Sequence, residues 1–255
     1  QNGEKRDAGS VSLSPGVGER PAVGGPLPVL RPAAVPALRI LSDAPLRHPA
    51  LVGYLSSRGI VPSVAAAFCR EVRYEVNGRA FFAVGFRNDA GGWELRSERF
   101  KGGSSPKHIT TLDNRSDTVI AFEGFMDFLA YLSLKHPEQL HIDAAVLNSV
   151  VNLPKAVPFI LRHPVIHAFF DNDEAGRKTT AGLIRLCPRS EVIDQRHFYS
   201  GHKDVNDYLI ARIKDRPKTT KTISDKQDHS CRNDLQPSKA DKAAIEPPRR
   251  KGVKV

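Results

Sequence analysis

The sequence predicts an α/β protein in which a mostly parallel sheet, covered by helices on both faces, follows a smaller α+β region. Two patterns predict this fold class. From residue 118 onward, short apolar runs alternate with helical segments, as buried parallel strands do when helices connect them. Before residue 118, alternating β segments flank Asn77-Gly78, which is a strong short-range hairpin signal. We therefore expect an N-terminal region over residues 38–117 and a second region over residues 118–213.

The N-terminal region begins with two helical patterns. The first helix is expected over residues 48–57, and the second over residues 62–71, where Pro62 suits the first helical turn. A small antiparallel meander should follow, with strands at residues 72–76, 79–86 and 93–96. Residues 101–107 combine Gly and Ser with two lysines, and we expect them to form a flexible, cationic approach to the second region.

The second region alternates strands and helices in a regular order. Strands are expected at residues 119–122, 144–147, 165–170 and 191–198, and helices at residues 125–134, 154–161, 174–186 and 205–213. In open parallel sheets, ligands bind beyond the carboxyl ends of the strands. The residues that directly follow each strand are therefore the first candidates for a functional site.

The two termini differ from the rest in composition. Residues 1–37 are rich in Gly and Pro and should form a disordered linker. Residues 214–255 contain twelve Lys and Arg against six Asp and Glu, and so contribute much of the net charge of +10. This stretch is expected to be a basic disordered tail, which either adds salt-sensitive affinity for nucleic acid or only improves solubility. Because the chain begins with Gln1, it is either a processed protein or a piece of a longer one, and we favour the second interpretation.

The composition argues against several classes of protein. No apolar run reaches the roughly 18–20 residues that span a bilayer, and the N-terminus lacks the apolar core of a secretory signal. Cys69, Cys187 and Cys231 are far apart, so neither a disulfide framework nor zinc-ligand spacing is present. A reducing cytoplasm is the simplest location, without a membrane partner.

Four acidic residues follow the expected strands. Glu123 ends the first strand, Asp127 lies one turn into the next helix, and Asp171 and Asp173 follow the third strand. Residues two apart on an extended segment point to the same side, and paired carboxylates repel each other unless a cation lies between them. Such hard oxygen ligands suit Mg²⁺. The alternatives are that an Asp only caps the helix that begins near Glu174, and that Asp127 is solvated.

These residues carry a resemblance to a known family. The runs IAFEGFMDFLAYL, LNSV, FFDNDEAGR and HKDVNDYL resemble the TOPRIM domain over about residues 118–213. The resemblance implies a Rossmann-like TOPRIM domain whose four-stranded, mostly parallel sheet has flanking helices. It also implies that Asp171 and Asp173 bind Mg²⁺, with Mn²⁺ as an alternative, and that Glu123 aids metal binding or acid–base chemistry.

The flanking sequence indicates which kind of TOPRIM protein this chain resembles most. The chain is too short for a topoisomerase gate, lacks the GxxxxGK[ST] phosphate loop of ATPase-linked TOPRIM nucleases, and lacks the zinc-finger cysteines of recombination mediators. YLSSRGI and GRAFFAVGFRNDAGGWELRSERFKGGSSPKHI are similar to bacterial primase cores. They resemble most the small zinc-finger/TOPRIM primase-like proteins of Bacteroidetes mobile elements. Zn²⁺ would belong only to the N-terminal zinc module of those proteins, which this chain does not contain.

The primase resemblance implies a DNA primase-like nucleotidyltransferase that makes RNA primers on single-stranded DNA from nucleoside triphosphates, with a helicase or relaxase as a further partner. The expected nucleotide- or nucleic-acid-binding residues are Arg79, Arg96, Lys101, Lys107 and Lys203. Any one of them could instead be an ordinary solvated charge, and Asp204 fits a helix N-cap. Two other functions stay open: a metal-dependent nuclease on the same site, and a non-catalytic nucleic-acid-binding accessory protein.

Overall fold

The structure is a computed structural model that describes residues 38–135 and 141–215. The predicted linker over residues 1–37 and the predicted basic tail from residue 216 onward lie outside the described residues.

The N-terminal region is built on a five-stranded antiparallel sheet with the order β1-β2-β3-β4-β5. Its strands are β1 (Arg39–Pro45), β2 (Cys69–Val76), β3 (Arg79–Arg87), β4 (Trp93–Ser97) and β5 (Phe100–Gly103). The predicted hairpin is confirmed: Asn77 and Gly78 have φ values of 52° and 74°, and they join β2 to β3. A turn with two positive φ angles matches the twist of the flanking strands.

Three details of this region differ from the prediction. The strand β1 was not predicted. The second helix ends earlier than residue 71, because Cys69 already pairs with Phe86 in the β2–β3 ladder. Residues 101–103 are not a flexible approach, since they belong to β5, and the buried Ser104 hydroxyl accepts a hydrogen bond of 3.0 Å from the Trp93 backbone N–H.

Two short helices, α1 (Pro49–Ser57) and α2 (Pro62–Phe68), precede β2. The His48 ring caps α1, because its Nδ1 accepts a hydrogen bond of 3.2 Å from the Ala50 N–H. Among the described residues no individual helix is both long and apolar enough to cross a membrane, and only α1 and α2 taken together, bent by 113°, meet that condition. Leu55 of α1 and Ala65 of α2 are fully buried in the protein core.

The second region contains the predicted α/β architecture. Its strands are β6 (Thr110–Leu112), β7 (Thr118–Phe122), β8 (Asp143–Val146), β9 (Val165–Phe169) and β10 (Glu191–Asp194), in the order β10-β9-β7-β8-β6. The four predicted strands run parallel, and β6 adds an antiparallel edge strand beside β8 that was not predicted. The fold class predicted from the sequence is confirmed.

Helices cover both faces of this sheet: α3 (Phe125–Lys135), α4 (Leu153–Ile160), α5 (Glu174–Leu186) and α6 (Val205–Lys214). The predicted bounds of α5 are confirmed. The strand β10 ends at Asp194 and not at residue 198, because a 3₁₀ turn (Arg196–Tyr199) follows, in which Arg196 pairs with the Asp194 carboxylate.

One hydrophobic core joins the two regions around α3. Every residue of α3 from Phe125 to Ser133 is buried, so this helix has no solvent-facing side in that stretch. The ring of Phe125 stacks on Phe86 of β3 at 5.2 Å, and the Phe122 ring of β7 stacks on Phe169 of β9 at 5.0 Å. This packing fixes the N-terminus of α3, which directly follows Glu123 and Gly124, against the N-terminal sheet.

Candidate active site

A cavity of about 580 Å³ lies where β7, β8 and β9 end. Glu123 follows β7, Asn148 follows β8 and Asp171 lies beyond β9, so each strand delivers a polar side chain to one edge of the sheet. The opposite wall comes from the N-terminal region. The full lining is Tyr54, Arg58, Arg96, Ser97, Glu98, Arg99, Phe100, Lys101, Glu123, Gly124, Met126, Asp127, Asn148, Ser149, Asp171, Lys203, Asp204 and Asn206.

Glu123 is a carboxylate held in an unfavourable environment for its charge. Burial, and then the negative charges of Asp171 and Asp173, raise the pKa of Glu123 to about 7, against the partial opposing effect of the Asp171 backbone N–H and the Lys203 charge. Its Oε2 atom is buried and has no hydrogen-bond partner among the described residues. A carboxylate oxygen that is left unpaired at this cost is available for a cation or for a proton.

Asp127 lies inside the site and is not a solvated residue on a helix surface. Its carboxylate is buried, and its Oδ1 accepts a hydrogen bond of 3.1 Å from the Asn206 backbone N–H at the start of α6. Burial raises the pKa of Asp127 well above its usual range, and the charges of Asp204 and Asp171 raise it further. The residue therefore ties α3 to α6 at the edge of the cavity.

Asp171 forms an ion pair with Lys203, whose Nζ lies 3.4 Å from the carboxylate Oδ2. Burial and the neighbouring Asp204 charge raise the pKa of Asp171, and Lys203 opposes this effect. The same interaction with Asp171 is the main cause of a raised pKa for Lys203. The loop that contains Asp171 is held against the segment that contains Lys203, because the Asn172 N–H donates a hydrogen bond of 2.6 Å to the Lys203 carbonyl oxygen.

Asp173 and Asp204 both cap helices. The Oδ1 of Asp173 accepts a hydrogen bond of 2.9 Å from Gly176 N–H at the start of α5, and the Oδ1 of Asp204 accepts one of 2.7 Å from Asp207 N–H at the start of α6. Asp204 also lines the cavity, whereas Asp173 is not part of its lining. Asp173 nevertheless lies close enough to raise the pKa of Glu123 through its charge.

Arg96 is the most strongly positioned cation of the opposite wall. Its guanidinium donates to the Leu95 carbonyl oxygen at 2.9 Å and to the Gly102 carbonyl oxygen at 3.4 Å, and it lies 5.5 Å from the centre of the Phe125 ring. Burial lowers its pKa, and the negative charge of Glu94 opposes this. Contacts on three sides hold the group in one orientation, which favours binding of a phosphate with fixed geometry.

The cavity also collects buried polar atoms that lack a partner. Among the described residues five buried side-chain polar atoms make no hydrogen bond, and four of them belong to residues that line this cavity. These four are Arg58 Nε, Glu123 Oε2, Asn148 Oδ1 and Asn206 Oδ1. Buried polar atoms in folded proteins are nearly always paired. Four such atoms at one cavity would suit a polar ligand.

Comparison with protein families agrees with this geometry. A family model described as "Toprim-like" matches residues 120–209, the segment that contains Glu123, Asp127, Asp171, Asp173 and Asp204. Residues 120–209 form a Toprim-like domain. Upstream of it, residues 40–105 match a family described as "Domain of unknown function (DUF8464)". A comparison with curated protein sequences found no match.

The chain is similar to parts of solved primase structures. The primase fragment of the bacteriophage T7 primase-helicase protein is 18% identical, with 62% of this chain and 69% of that chain covered and a TM-score of 0.48. The zinc-binding and RNA polymerase domains of the Aquifex aeolicus primase are 17% identical, with 58% and 50% covered and a TM-score of 0.43.

A third similar structure shows the bacteriophage T7 lagging-strand DNA polymerase interacting with primase domains of two gp4 subunits, which are bound to an RNA/DNA hybrid and dTTP. There the identity is 15%, the match covers 55% of this chain and 76% of that chain, and the TM-score is 0.40. Among these three solved chains, the Aquifex aeolicus chain has the smallest covered share, since the match spans 50% of its length.

The carboxylates of the Toprim-like domain fit a magnesium ion. Within residues 38–135 and 141–215, no group of three or more His, Cys, Asp and Glu side chains is gathered closely enough to form a complete metal site. Mg²⁺ does not require one, since it is usually bound by one or two carboxylates together with water and substrate phosphates. Glu123 and Asp171 could provide such a pair, because a cation would offset the burial and the neighbouring negative charges that raise both of their pKa values.

Not all of the predicted basic residues reach the cavity beside the Toprim-like domain. Arg96, Lys101 and Lys203 line it, whereas Lys107 and Arg79 do not. Lys107 instead pairs with the buried carboxylate of Glu94 at 3.3 Å. Arg79 is exposed at the start of β3.

Sequence reasoning also missed several lining residues, among them Tyr54, Arg58 and Asn206. Arg58 and Asn206 are linked across 148 positions, because the Asn206 side-chain amide donates to the Arg58 carbonyl oxygen at 2.7 Å. No local sequence pattern predicts a contact between residues so far apart in the sequence. Asn148 and Ser149 were indicated by the sequence, since they directly follow a predicted strand, where ligands of parallel sheets gather, and both line the cavity.

Proposed function

We propose that this chain is a DNA primase-like nucleotidyltransferase that synthesises RNA primers on single-stranded DNA. The main support for the proposal is that one cavity has negatively charged side chains on one side and positively charged side chains on another. Glu123 and Asp171 line one side, and Arg96, Arg99 and Lys101 line another. Phosphoryl transfer requires cations that bind a triphosphate and carboxylates that bind its metal, and this cavity offers both.

The cationic wall would bind the phosphates of the incoming nucleotide. Arg96 is held in place by its two carbonyl contacts and by Phe125, so it can bind a phosphate without further ordering. Arg99 and Lys101 extend the same wall from the turn and the strand that follow β4. Phosphates bound there would lie between the N-terminal region and the carboxylates of the Toprim-like domain.

Glu123 and Asp171 would bind Mg²⁺, with Mn²⁺ as an alternative and Asp173 as the third ligand that the TOPRIM resemblance implies. When bound, the ion lowers the pKa of an attacking hydroxyl group and neutralises charge on the triphosphate. Lys203 balances the charge of Asp171 in the metal-free site. Asp127, which is buried beside Asn206, keeps α6 and the Lys203 loop in position behind the carboxylates.

The rest of the proposal concerns organisation and partners. Residues 38–117 would present the phosphate-binding wall, and residues 118–213 would be the catalytic domain. The template would be single-stranded DNA and the substrates nucleoside triphosphates, with a helicase or relaxase as an additional partner in the cytoplasm. The basic tail over residues 214–255 would strengthen binding to nucleic acid through its excess of Lys and Arg.

The direct test is primer synthesis on single-stranded DNA with labelled nucleotides and Mg²⁺. New oligonucleotides that disappear with EDTA, and with the double substitution Asp171→Asn and Asp173→Asn, would support the proposal. Glu174→Gln is the matched control, because Glu174 is adjacent in sequence but is exposed and pairs with Arg177 and Lys178 on the helix surface. Shortening of the template without new products would replace the proposal with a metal-dependent nuclease.

A further inference from the structure

A second cavity, of about 640 Å³, opens beside the candidate active site in the N-terminal region. Aromatic side chains make up much of its wall: Tyr74 of β2, Phe81 and Phe82 of β3, and Phe100 of β5. We call this surface the aromatic groove and define it by these four residues. Leu51 of α1 also lines this cavity.

The rings of the aromatic groove are arranged as a stacking platform. Tyr74 is stacked between Phe81 and Phe100, with ring centres 5.7 Å and 5.0 Å apart and interplanar angles of 28° in both pairs. The outer ring of this row, Phe81, is 45% exposed, and the neighbouring Phe82 is 40% exposed. A row of nearly parallel rings that ends in an exposed ring can be extended by another flat aromatic group.

The aromatic groove is continuous with the candidate active site. Tyr54, Ser97, Glu98, Arg99 and Phe100 line both cavities. A long ligand that lies in the groove would therefore enter the cavity that contains the carboxylates, and no separate channel is needed.

The surroundings of the groove suit a polyanion with flat, apolar parts. Arg99 lines the groove, Arg79 adjoins its lining residue Ala80, and Arg73 is the direct cross-strand partner of Phe82. None of these three arginines forms an ion pair with another described residue. Glu98 is the one acidic side chain of the lining. Aromatic rings with interleaved cations are the arrangement by which proteins bind single strands without reading their sequence.

We propose that the aromatic groove binds unpaired bases of the single-stranded DNA template and leads them to the active site, which rests on the proposed function. The bases stack on Phe81, the exposed end of the stacked row, and the strand's phosphates contact Arg79 and Arg99. This assigns a binding role to the region that matches a domain of unknown function. Arg79, which does not line the active-site cavity, then binds nucleic acid at a distance from the chemistry.

The test is binding of a fluorescent oligothymidylate to the full chain, measured by anisotropy in EDTA without nucleotides. Phe81→Leu should weaken binding about 10-fold, since stacking contributes roughly 1–3 kcal/mol per base and 1.4 kcal/mol corresponds to a factor of ten. Phe81→Trp should keep wild-type affinity because it keeps a stacking ring. Ile184→Ala, which alters a 52% exposed apolar residue on α5, is the control and should change nothing.

A second arm uses an oligonucleotide of the same length whose bases are removed from the central positions. Wild-type protein should bind it more weakly than oligothymidylate, and Phe81→Leu should remove that difference. Equal wild-type affinity for both strands would overturn the proposal. The proposal would also fail if Phe81→Leu left the binding of the oligonucleotide unchanged and altered only the binding of mononucleotides, or only a monomer–dimer equilibrium measured by light scattering.

The result is independent of primer synthesis. The double variant with Asp171→Asn and Asp173→Asn should bind oligothymidylate with at least wild-type affinity, since it removes negative charge from the site. Strand binding that depends on Phe81, in a protein that makes no primers, would keep the groove and reject the proposed catalytic function.

Discussion

The ammonium nitrogen of Lys203 lies 3.4 Å from Oδ2 of Asp171, so a side chain of the protein provides the positive charge nearest to this carboxylate. The Lys203 side chain is 64% exposed, whereas that of Asp171 is 13% exposed. The exposed ammonium group of Lys203 can therefore move away from the site, whereas the largely buried carboxylate of Asp171 cannot. This asymmetry suits a site in which another cation is expected to take over the neutralisation of Asp171.

The first prediction concerns Lys203→Met. Without its ammonium group the carboxylates repel one another more strongly, so the metal-free protein should lose up to about 1 kcal/mol of unfolding free energy, as for other exposed ion pairs. Mg²⁺ should restore most of the loss. The measurement is the melting temperature at pH 8 in EDTA and in Mg²⁺.

Lys178→Met is the matched control for this prediction, because Lys178 forms an ion pair of the same 3.4 Å length with the exposed Glu174. It should show no dependence on Mg²⁺. An equal loss for Lys203→Met with and without Mg²⁺ would mean that Lys203 only stabilises the loop.

The second prediction concerns the pH dependence of stability. Burial and neighbouring negative charges raise the pKa of Glu123 to about 7, above the usual 4.5, so the folded protein binds a proton more tightly than the unfolded chain. The unfolding free energy should therefore fall as pH rises from about 4.5 to 7 and should then level off. Urea denaturation in EDTA at several pH values measures this.

Glu123→Gln isolates the effect, because it keeps the shape of the side chain and removes the charge. The variant should be more stable than the wild type at pH 8, and the difference should vanish near pH 4.5. The raised pKa values of Asp127 and Asp171 act in the same direction in both proteins. A difference that does not change with pH would show that the Glu123 charge is not destabilising.

The third prediction separates two residues that the sequence treated alike, Arg96 and Lys107. Arg96 lines the active-site cavity, so Arg96→Ala should raise the KM for nucleotides about 10-fold or more through loss of a charged hydrogen bond. Lys107 pairs with the buried Glu94 carboxylate, so Lys107→Ala should lower the melting temperature and leave the KM nearly unchanged. Steady-state kinetics and thermal melts of both variants provide the comparison.

The reverse pattern, a large KM effect for Lys107→Ala and none for Arg96→Ala, would contradict the placement of the phosphate-binding wall. Arg96→Lys should recover only part of the loss, because an ammonium group cannot reproduce the fixed planar fork of a guanidinium held by Leu95 and Gly102.

The parallel sheet could be predicted from the sequence because its determinants are local. Runs such as residues 119–122 are apolar without alternation, and only a strand buried on both faces needs such a run. The acidic residues at the strand ends were found for the same reason. The edge strand β6 was missed, since Thr110–Leu112 has three residues and becomes a strand only by pairing with β8.

The opposite wall of the cavity could not be predicted in this way. Phe100–Gly103 contains three residues with low or moderate strand preference, Lys and two Gly, and forms β5 because β4 offers it an open edge. Contacts such as Asn206 to the Arg58 carbonyl oxygen join distant segments through the shared core around α3. Hydrophobic periodicity gives no information about such pairings.

The last prediction concerns Gly176 at the start of α5. A methyl group at this position would overlap the Asp171 carbonyl oxygen and lie 2.9 Å from the Asp171 backbone nitrogen, so glycine allows the helix to approach the loop that presents the carboxylate. Gly176→Ala should cost about 1–3 kcal/mol of stability through this overlap, although alanine in a helix is otherwise favoured by about 1 kcal/mol. It should also reduce nucleotide incorporation, because Asp171 must move.

Gly182→Ala in the same helix is the matched comparison. There the added methyl group would meet two side chains, Leu153 at 3.2 Å, which can shift by a few tenths of an ångström, and Arg185 at an ordinary contact distance of 3.8 Å. This variant should keep full activity and show unchanged or increased stability. If Gly176→Ala were as stable and as active as Gly182→Ala, the close contact between α5 and the Asp171 backbone would not be what positions the carboxylate, and the Asp173 cap alone would have to do so.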